Sequence, residues 1–171
     1  VLLDVASTLQ VSRTMHAFGM RVHEQRSSPR IESLTAGLGD FQSIENEIHQ
    51  AIDTDGSIRD HASPALRRIR QAQQTMRDRT RDQLNRFIQS DTGSKALQEP
   101  AMTIRDGRYV VPVRRDHRSQ VRGVVHDQSA SGATIFIEPM AIVDLNNQLR
   151  ELTVEERREI DRILRALTDQ I

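Results

Sequence analysis

The fold is decided where the chain reads MTIRDGRYVV, over residues 102–111. Apolar and polar residues alternate here, whereas the residues before and after repeat at helical spacing. Asp106-Gly107 is a preferred two-residue hairpin turn, because both turn positions need positive φ. A second pair of alternating segments, 121–127 and 133–138, flanks the loop Gln128–Gly132. The sequence therefore predicts a small antiparallel β module.

Two long helices are predicted to bracket this module. Ser63-Pro64 is a strong helix start, because Ser caps the helix and the missing N–H of Pro costs nothing at the first helical position. An apolar seam continues to about Ser90, where Asp91-Thr92-Gly93 is predicted to close the helix. Pro139 is predicted to open a returning helix with one apolar side. We expect an antiparallel pair of helices with the β module at its tip.

The residues before Ser63 show two further helical patterns. The first begins at Leu2 and is predicted to end at 26–29, because Pro disfavours helix in the residue before it. The second covers about 41–52, with Asp40 as a possible cap. The fold class is thus mainly α with a small antiparallel β module. The predicted segments are core helices over 1–62, an outgoing helix over 63–99, the β module over 100–139 and a returning helix over 140–171.

Composition excludes several classes of protein. The chain has 171 residues, of which 36% are hydrophobic and only 3% aromatic, and this disfavours an all-β sandwich. The absence of Cys excludes disulfides and thiol nucleophiles and indicates a reducing compartment. No apolar run approaches the roughly 20 residues that span a bilayer, so we expect a cytoplasmic protein without membrane contact. The start at Val1 and an apolar pattern still running at Ile171 predict a piece of a longer protein.

Charge is distributed unevenly, although the formal net charge is zero. Residues 1–62 carry 5 basic and 9 acidic side chains, residues 63–122 carry 14 and 6, and residues 123–171 carry 5 and 9. The central excess of 14 − 6 = +8 fits a surface that binds a polyanion. It fits equally well with neutralisation by the acidic flanking segments in the folded chain.

Three patterns contain the letters of catalytic or cofactor sites but lack the required arrangement. His126, Asp127 and Ser129 could compose a triad, yet neighbouring strand residues point to opposite faces, so His126 and Asp127 are not expected to share a proton. Thr92-Gly93-Ser94-Lys95 lacks the first Gly and the final Ser or Thr of a phosphate-binding loop. We therefore expect no catalytic residue, metal or cofactor in these residues. The six His, which form no close ligand set, are at positions 16, 23, 49, 61, 117 and 126.

The arginines of the β module are the candidate binding residues. Six of them crowd into 18 residues, and planar guanidinium groups suit phosphate oxygens. The alternative is a solvated loop that is rich in Arg only because the whole chain is. The N–H groups of the loop 128–132 either bind a phosphate or satisfy one another. The candidate phosphate-binding residues are Arg105, Arg108, Arg114, Arg115, His117, Arg118, Arg122, Ser129 and Ser131.

A second basic run lies on the outgoing helix. It spreads over several helix faces, so it is predicted to be solvated or to pair with the acidic returning helix. Its members are Arg67, Arg68, Arg70, Arg77, Arg79, Arg81 and Arg86.

The stretch from Asp106 to Glu159 is far more specific than any short motif. It reads DGRYVVPVRRDHRSQVRGVVHDQSASGATIFIEPMAIVDLNNQLRELTVEERRE, and its most specific parts are VHDQSASGAT at 125–134 and FIEP at 136–139. On these residues the chain resembles the bacterial MutS paralogue family of the second type. DGSIRDHASPALRRIR at 55–70 also resembles that family. The resemblance covers most of residues 55–165 and is weaker over 1–54.

The resemblance implies MutS-like core helices, two lever helices and a clamp inserted between them, in agreement with the element order derived from the residues alone. In such proteins the clamp binds DNA largely through contacts with the phosphate backbone of the DNA. An ABC-type ATPase domain, where ATP and Mg²⁺ bind, and a C-terminal Smr nuclease domain lie outside these residues. The family is homodimeric, binds branched DNA and is associated with suppressing recombination. Some members are linked to rescue of collided ribosomes.

Our leading hypothesis is a non-catalytic DNA-binding region of a nucleoid-associated protein, in which the candidate residues contact phosphates without reading bases. The alternative is a protein-contacting or ribosome-contacting element that relays the state of the ATPase domain. The two differ in salt dependence, since each neutralised phosphate contributes about −0.9 to the slope of log K against log salt.

Overall fold

The computed structural model describes residues 1–26, 29–35 and 37–171. The predicted fold class, mainly α with a small antiparallel β module, is confirmed. The predicted end of the first helix includes Ser27 and Ser28, which lie outside the described residues. No helix in the described ranges is long and apolar enough to cross a membrane. The described elements are α1 (Leu2–Arg26), α2 (Pro29–Thr35), α3 (Gln42–Ala51), α4 (Pro64–Ile88), α5 (Asp91–Ala96), β1 (Thr103–Arg105), β2 (Arg108–Arg114), β3 (Gly123–Gln128), β4 (Thr134–Pro139) and α6 (Val143–Thr168), with 3-10 turns at Asp60–Ala62, Arg115–Gln120 and Met140–Ile142.

The chain forms two compact units, and the long helices α4 and α6 each contribute to both. The first unit comprises Val1–Arg68 and Arg157–Ile171, and the second comprises Ile69–Glu156. Each unit has its own apolar core. The core of the first unit is centred on Ile48 of α3, which is fully buried with residues of α1, the start of α4 and the end of α6.

Side-chain hydrogen bonds fix the helix starts of the first unit. Ser63 Oγ accepts a hydrogen bond from the N–H three residues further along the chain at 2.9 Å, so Ser63 caps α4 as predicted. Ser63 also donates to Glu159 Oε1 at 2.6 Å, which ties this cap to α6. α3 begins at Gln42, whose N–H donates to Asp40 Oδ1 at 3.0 Å. The N-cap residue is Phe41, which makes no side-chain cap bond, so the predicted cap Asp40 lies one residue too early and instead accepts from the first N–H of α3.

The prediction that Asp91-Thr92-Gly93 closes the outgoing helix is wrong. α4 ends at Ile88, and these three residues begin α5. Ser90 caps α5, because its Oγ accepts a hydrogen bond from Gly93 N at 3.1 Å. Gly93 serves close packing rather than termination, since a Cβ there would lie 2.1 Å from the carbonyl oxygen of Phe87.

The returning helix begins later than predicted. Pro139 is the last residue of β4, with an extended ψ of 142°, and pairs with Gly123 of β3. A 3-10 turn follows, and α6 begins at Val143. The strand pairing holds Pro139 in extended backbone, so it ends the sheet instead of opening the helix.

The second unit contains a four-stranded antiparallel sheet in the order β1-β2-β4-β3. The predicted hairpin turn joins β1 to β2, with φ of 50° at Asp106 and 74° at Gly107. β3 carries a bulge between Val125 and Asp127, so His126 is the extra residue opposite β4. The bulge changes the alternation of side chains that a regular strand would impose.

Within the second unit, α4 and α6 run antiparallel as predicted. Gln73 Nε2 donates to Leu152 O at 3.3 Å, whereas Gln83 Nε2, ten residues further along α4, donates to Ala141 O at 3.4 Å. As the residue number in α4 rises, the residue number of its contact decreases towards the start of α6, so the two helices are antiparallel. Leu84 of α4 packs with buried aliphatic residues of β2 and β4 in the core of this unit. The interpretation of these elements as levers and a clamp stays a prediction.

Candidate nucleic-acid interface

Two of the candidate arginines are paired with carboxylates. Arg105 Nε donates to Asp127 Oδ2 at 3.0 Å, and its guanidinium carbon lies 4.0 Å from the centre of the Phe136 ring. Arg108 Nη1 donates to Glu138 Oε1 at 2.7 Å, and only 16% of the Arg108 side chain is exposed. Since each of them faces a carboxylate, contact of Arg105 or Arg108 with a polyanion would compete with an ion pair, and their assignment as binding residues stays a prediction.

Glu138 is the centre of a buried polar network, which we call the Glu138 cluster. Its side chain is 1% exposed and accepts hydrogen bonds from Arg108, from Asn146 Nδ2 at 2.8 Å and from His126, whose Nε2 lies 2.6 Å from Oε2. Asn146 also bonds to both backbone groups of Tyr109, accepting from its N–H and donating to its carbonyl. The Glu138 cluster therefore joins β2, β3 and β4 to α6.

Sequence reasoning missed this cluster. The expectation that His126 and Asp127 do not share a proton rested on regular alternation, which the bulge interrupts, and Asp127 pairs with Arg105. Sequence reasoning did not find the actual partner of His126, which is Glu138. His126 is the extra residue of the bulge in β3, and an irregularity of strand register leaves little signal in the sequence.

Four candidate arginines have no carboxylate partner among the described residues. Arg114 Nη2 donates to the Lys95 carbonyl, and Arg115 Nη1 donates to the Gly132 carbonyl at 3.3 Å. Arg118 donates to the carbonyls of Val121 and Gly123, at 2.8 and 3.2 Å. Arg122 is exposed, and no side-chain hydrogen bond or ion pair forms on it within the described ranges. A carbonyl orients a guanidinium without cancelling its charge. We call Arg114, Arg115, Arg118 and Arg122 the uncompensated arginines.

One acidic residue lies inside this segment. Asp116 Oδ1 is 2.8 Å from His117 Nδ1, and this contact lowers the pKa of Asp116, with a smaller contribution from Arg114. The segment 114–122 therefore carries four positive charges and one carboxylate, besides His117. Despite its short distance from Asp116, His117 Nδ1 is buried and makes no hydrogen bond of acceptable geometry among the described residues. The net charge of the segment remains positive.

Hydrogen bonds satisfy part of the loop 128–132, whereas the N–H groups of Ala130 and Ser131 make no hydrogen bond among the described residues. Ser129 Oγ accepts from Thr134 N at 3.1 Å, and Ser131 Oγ accepts from Ala133 N at 3.4 Å. Gly132 N donates to Ser129 O at 2.8 Å, with a φ of 70° at Gly132. These bonds support the structural reading of Ser129 and Ser131, and any contact of theirs with DNA stays a prediction.

The arginines of α4 fall into two groups. Arg70 Nε donates to Glu156 Oε1 at 2.7 Å, and Arg77 donates to Gln73 Oε1 at 3.1 Å. Burial alone would raise the pKa of Glu156, but the hydrogen bonds from Arg70 and Gln73 outweigh it and lower that pKa. The expected pairing with the returning helix thus occurs at Arg70. Four exposed members have no side-chain partner among the described residues: Arg67, Arg79, Arg81 and Arg86.

The described residues offer no metal centre. Within residues 1–26, 29–35 and 37–171, no three His, Asp or Glu side chains lie close enough together to hold a metal ion. The candidate binding groups on the connection between β2 and β3 are guanidinium groups, which offer positive charge and hydrogen-bond donors.

Comparison with known proteins gives the same family as the resemblance. The chain is 48% identical over 170 residues to a protein named Endonuclease MutS2 from Symbiobacterium thermophilum, covering 99% of this chain and 21% of that protein. It is 45% identical to proteins of the same name from Geobacillus sp. strain WCH70 and Alkaliphilus metalliredigens, over 98% and 99% of this chain and 21% and 22% of theirs. No protein-family profile matches. The chain spans about a fifth of the length of the curated relatives it matches. It is related to the MutS2 proteins.

Proposed function

We propose that this region binds DNA through its phosphates, without catalysing a reaction itself. The single observation that carries the proposal is the set of uncompensated arginines on one connection of the sheet. The name of the relatives supports it, since an endonuclease acts on a nucleic acid. Phosphate contacts position a protein on a duplex without reading sequence.

The guanidinium groups keep donors for a ligand. Each guanidinium has five N–H donors in a fixed fork, and such forks suit phosphate oxygens. Arg115 uses one donor group and Arg118 uses two to bond carbonyls, so both are oriented and still have donors to offer. Arg122 has all of its donors available. The bonds to carbonyls reduce the side-chain freedom that would be lost on binding.

The wider assignment rests on the resemblance of residues 55–165 to the bacterial MutS paralogue family of the second type. We propose a MutS-like core, lever and clamp region of a homodimeric, nucleoid-associated protein that acts on branched DNA during recombination. ATP and Mg²⁺ would be bound by an ATPase domain outside these residues, and no cofactor is assigned to the residues described.

The test replaces the uncompensated arginines together. In R114Q/R115Q/R118Q/R122Q, the slope of log K against log salt on a linear duplex should be less negative by about 3.6, or 0.9 for each of four contacts. Binding would be measured by fluorescence anisotropy between about 50 and about 200 mM salt. A matched control removes four exposed arginines of α6, in R150Q/R157Q/R158Q/R165Q.

The outcomes separate contact from charge. The proposal is supported if the salt slope becomes less negative in the quadruple variant and stays unchanged in the α6 control. Equal slopes in both variants and the unsubstituted chain refute it, as does no measurable binding of the unsubstituted chain at about 50 mM salt. Far-UV circular dichroism checks that each variant is folded.

The second candidate is a relay element that contacts a protein or the ribosome. The Glu138 cluster favours it, because a network that joins α6 to three strands would pass a displacement of α6 to the sheet. Exposed Val124 and Val125, at 44% and 47%, lie on the edge strand β3, where a partner could add contacts. Binding to a partner that is unaffected by the quadruple substitution would favour this candidate.

A further inference from the structure

A second cationic surface lies on α4, outside the β module. Arg79, Gln83 and Arg86 fall within about 60° of one another around the helix, at 100° per residue. With Asp82, Ala141 and Leu145 they line a groove of about 330 Å³ in the second unit. We call it the α4 groove.

The arginines of the α4 groove are not occupied by the protein. Neither Arg79 nor Arg86 has a carboxylate within 4.0 Å or a side-chain hydrogen bond, within the part of the chain that the structure describes. Asp82 lies between them and forms no ion pair with either. The groove thus carries two positive charges and one negative charge. This differs from the other side of the same helix pair, where Arg70 is committed to Glu156.

The α4 groove adjoins the segment that carries the uncompensated arginines. Met140 N donates to the carbonyl of Arg122 at 3.0 Å, which places the start of β3 beside the turn that follows β4. The next residue, Ala141, lines the groove, and its carbonyl accepts from Gln83 Nε2 at 3.4 Å. One backbone hydrogen bond, from Met140 to Arg122, and one side-chain bond, from Gln83 to Ala141, therefore connect the backbone of Arg122 to the groove.

We propose that the α4 groove is a second phosphate-binding segment, which extends the DNA contact from Arg122 onto α4. The inference rests on the proposed function and names Arg79 and Arg86 as contact residues. Arg79 and Arg86 are seven residues apart, which corresponds to about 10.5 Å along the axis of α4. One strand of a duplex rises by that distance in about three phosphate steps of 3.4 Å. The apolar floor formed by Ala141 and Leu145 suits the sugars between those phosphates.

The α4 helix provides its own matched control. Arg67 and Arg81 are also exposed and without side-chain partners among the described residues, but around the helix Arg81 lies about 140° to 160° from Arg79 and Arg86, and Arg67 lies about 100° to 120° from them. R79Q/R86Q and R67Q/R81Q remove the same charge from different faces of the same helix. Both would be measured on a linear duplex in the full 171-residue chain.

We expect the slope of log K against log salt to become less negative by about 1.8 in R79Q/R86Q. Over a fourfold rise in salt, the affinity of the unsubstituted chain should then fall about 12-fold more than that of the variant. In R67Q/R81Q the slope should differ from the unsubstituted value by less than half of the contribution of one phosphate contact. D82N should strengthen binding, because it removes the only carboxylate that lines the α4 groove among the described residues.

The outcomes distinguish this inference from the proposed function. If the salt slope of R79Q/R86Q equals that of R67Q/R81Q, while the slope of R114Q/R115Q/R118Q/R122Q becomes less negative, the inference fails and the proposed function stands. If none of these variants changes the slope, both fail. Preferential capture of polyglutamate over duplex by the unsubstituted chain, lost in R79Q/R86Q, would overturn the inference in favour of an acidic protein partner.

Discussion

Replacing Glu138 by Gln tests whether the Glu138 cluster holds the second unit together. The substitution keeps the shape of the side chain and removes its charge. Arg108, which is 16% exposed, then loses the carboxylate that compensates it. The donors of His126 and Asn146 meet a neutral amide that can accept with one oxygen only.

The expected loss is large because the carboxylate is buried. Removing one partner of a buried ion pair costs about 3–5 kcal/mol, since the other charge remains buried without compensation. Gln retains some of the hydrogen bonds to the cluster, so we expect the lower end, about 3 kcal/mol. With an m-value of about 2 kcal/mol/M, the urea midpoint of the second unit should fall by about 1.5 M.

A single fluorophore isolates this unit. The chain has one Tyr, Tyr109, and no Trp, so tyrosine fluorescence reports on the second unit alone. Tyr109 also bonds to Asn146 through both backbone groups, so it senses the cluster directly. Glu151→Gln is the matched control, because Glu151 is exposed on α6 and should change stability by less than about 0.5 kcal/mol. A loss for Glu138→Gln no greater than that of Glu151→Gln would refute the reasoning.

Two further predictions concern the first unit. Ser63→Ala removes the cap of α4 and the bond to Glu159, and should cost about 1–2 kcal/mol in urea unfolding followed by far-UV circular dichroism. Ser33→Ala, at an exposed site of α2, serves as its control, and an equal cost would contradict the capping role. Hydrogen bonds from Arg162 and Ser63 lower the pKa of Glu159 from 4.5 to about 2. The depressed pKa means that Glu159 contributes stability above about pH 4.5 and loses it as the pH falls towards 2. Glu159→Gln should therefore be less stable than the unsubstituted chain at about pH 6, and this difference in stability should shrink as the pH is lowered to about 3. A difference that stays constant over this range would contradict the assignment.

Local chemistry made part of the fold predictable. Ser63-Pro64 marks the start of α4 and Asp106-Gly107 forms the hairpin, because each depends on residues only a few positions apart. The same rule explains the error at α5. Asp91-Thr92-Gly93 has the residue types of a helix end, yet Ser90 caps a new helix there and Gly93 makes a close contact with Phe87.

The candidate interface was predictable as a group and not residue by residue. The crowding of arginines is visible in the sequence, but their partners are distant along the chain. Arg105 is 22 residues from Asp127, and Arg108 is 30 residues from Glu138. Which arginine meets a carboxylate depends on strand order and on the bulge in β3, and neither follows from composition or spacing.

This division of the arginines changes how a loss of DNA affinity should be interpreted. Arg108 belongs to the Glu138 cluster. Replacing it leaves the buried Glu138 carboxylate without its ion-pair partner, which destabilises the second unit. DNA binding would then fall because less protein is folded, with the salt slope of the folded fraction unchanged. Replacing Arg122 removes a charge that no described residue compensates, so the slope should change while the urea midpoint does not. Affinity alone cannot separate these causes, whereas slope and stability measured together assign each arginine to the interface or to the fold.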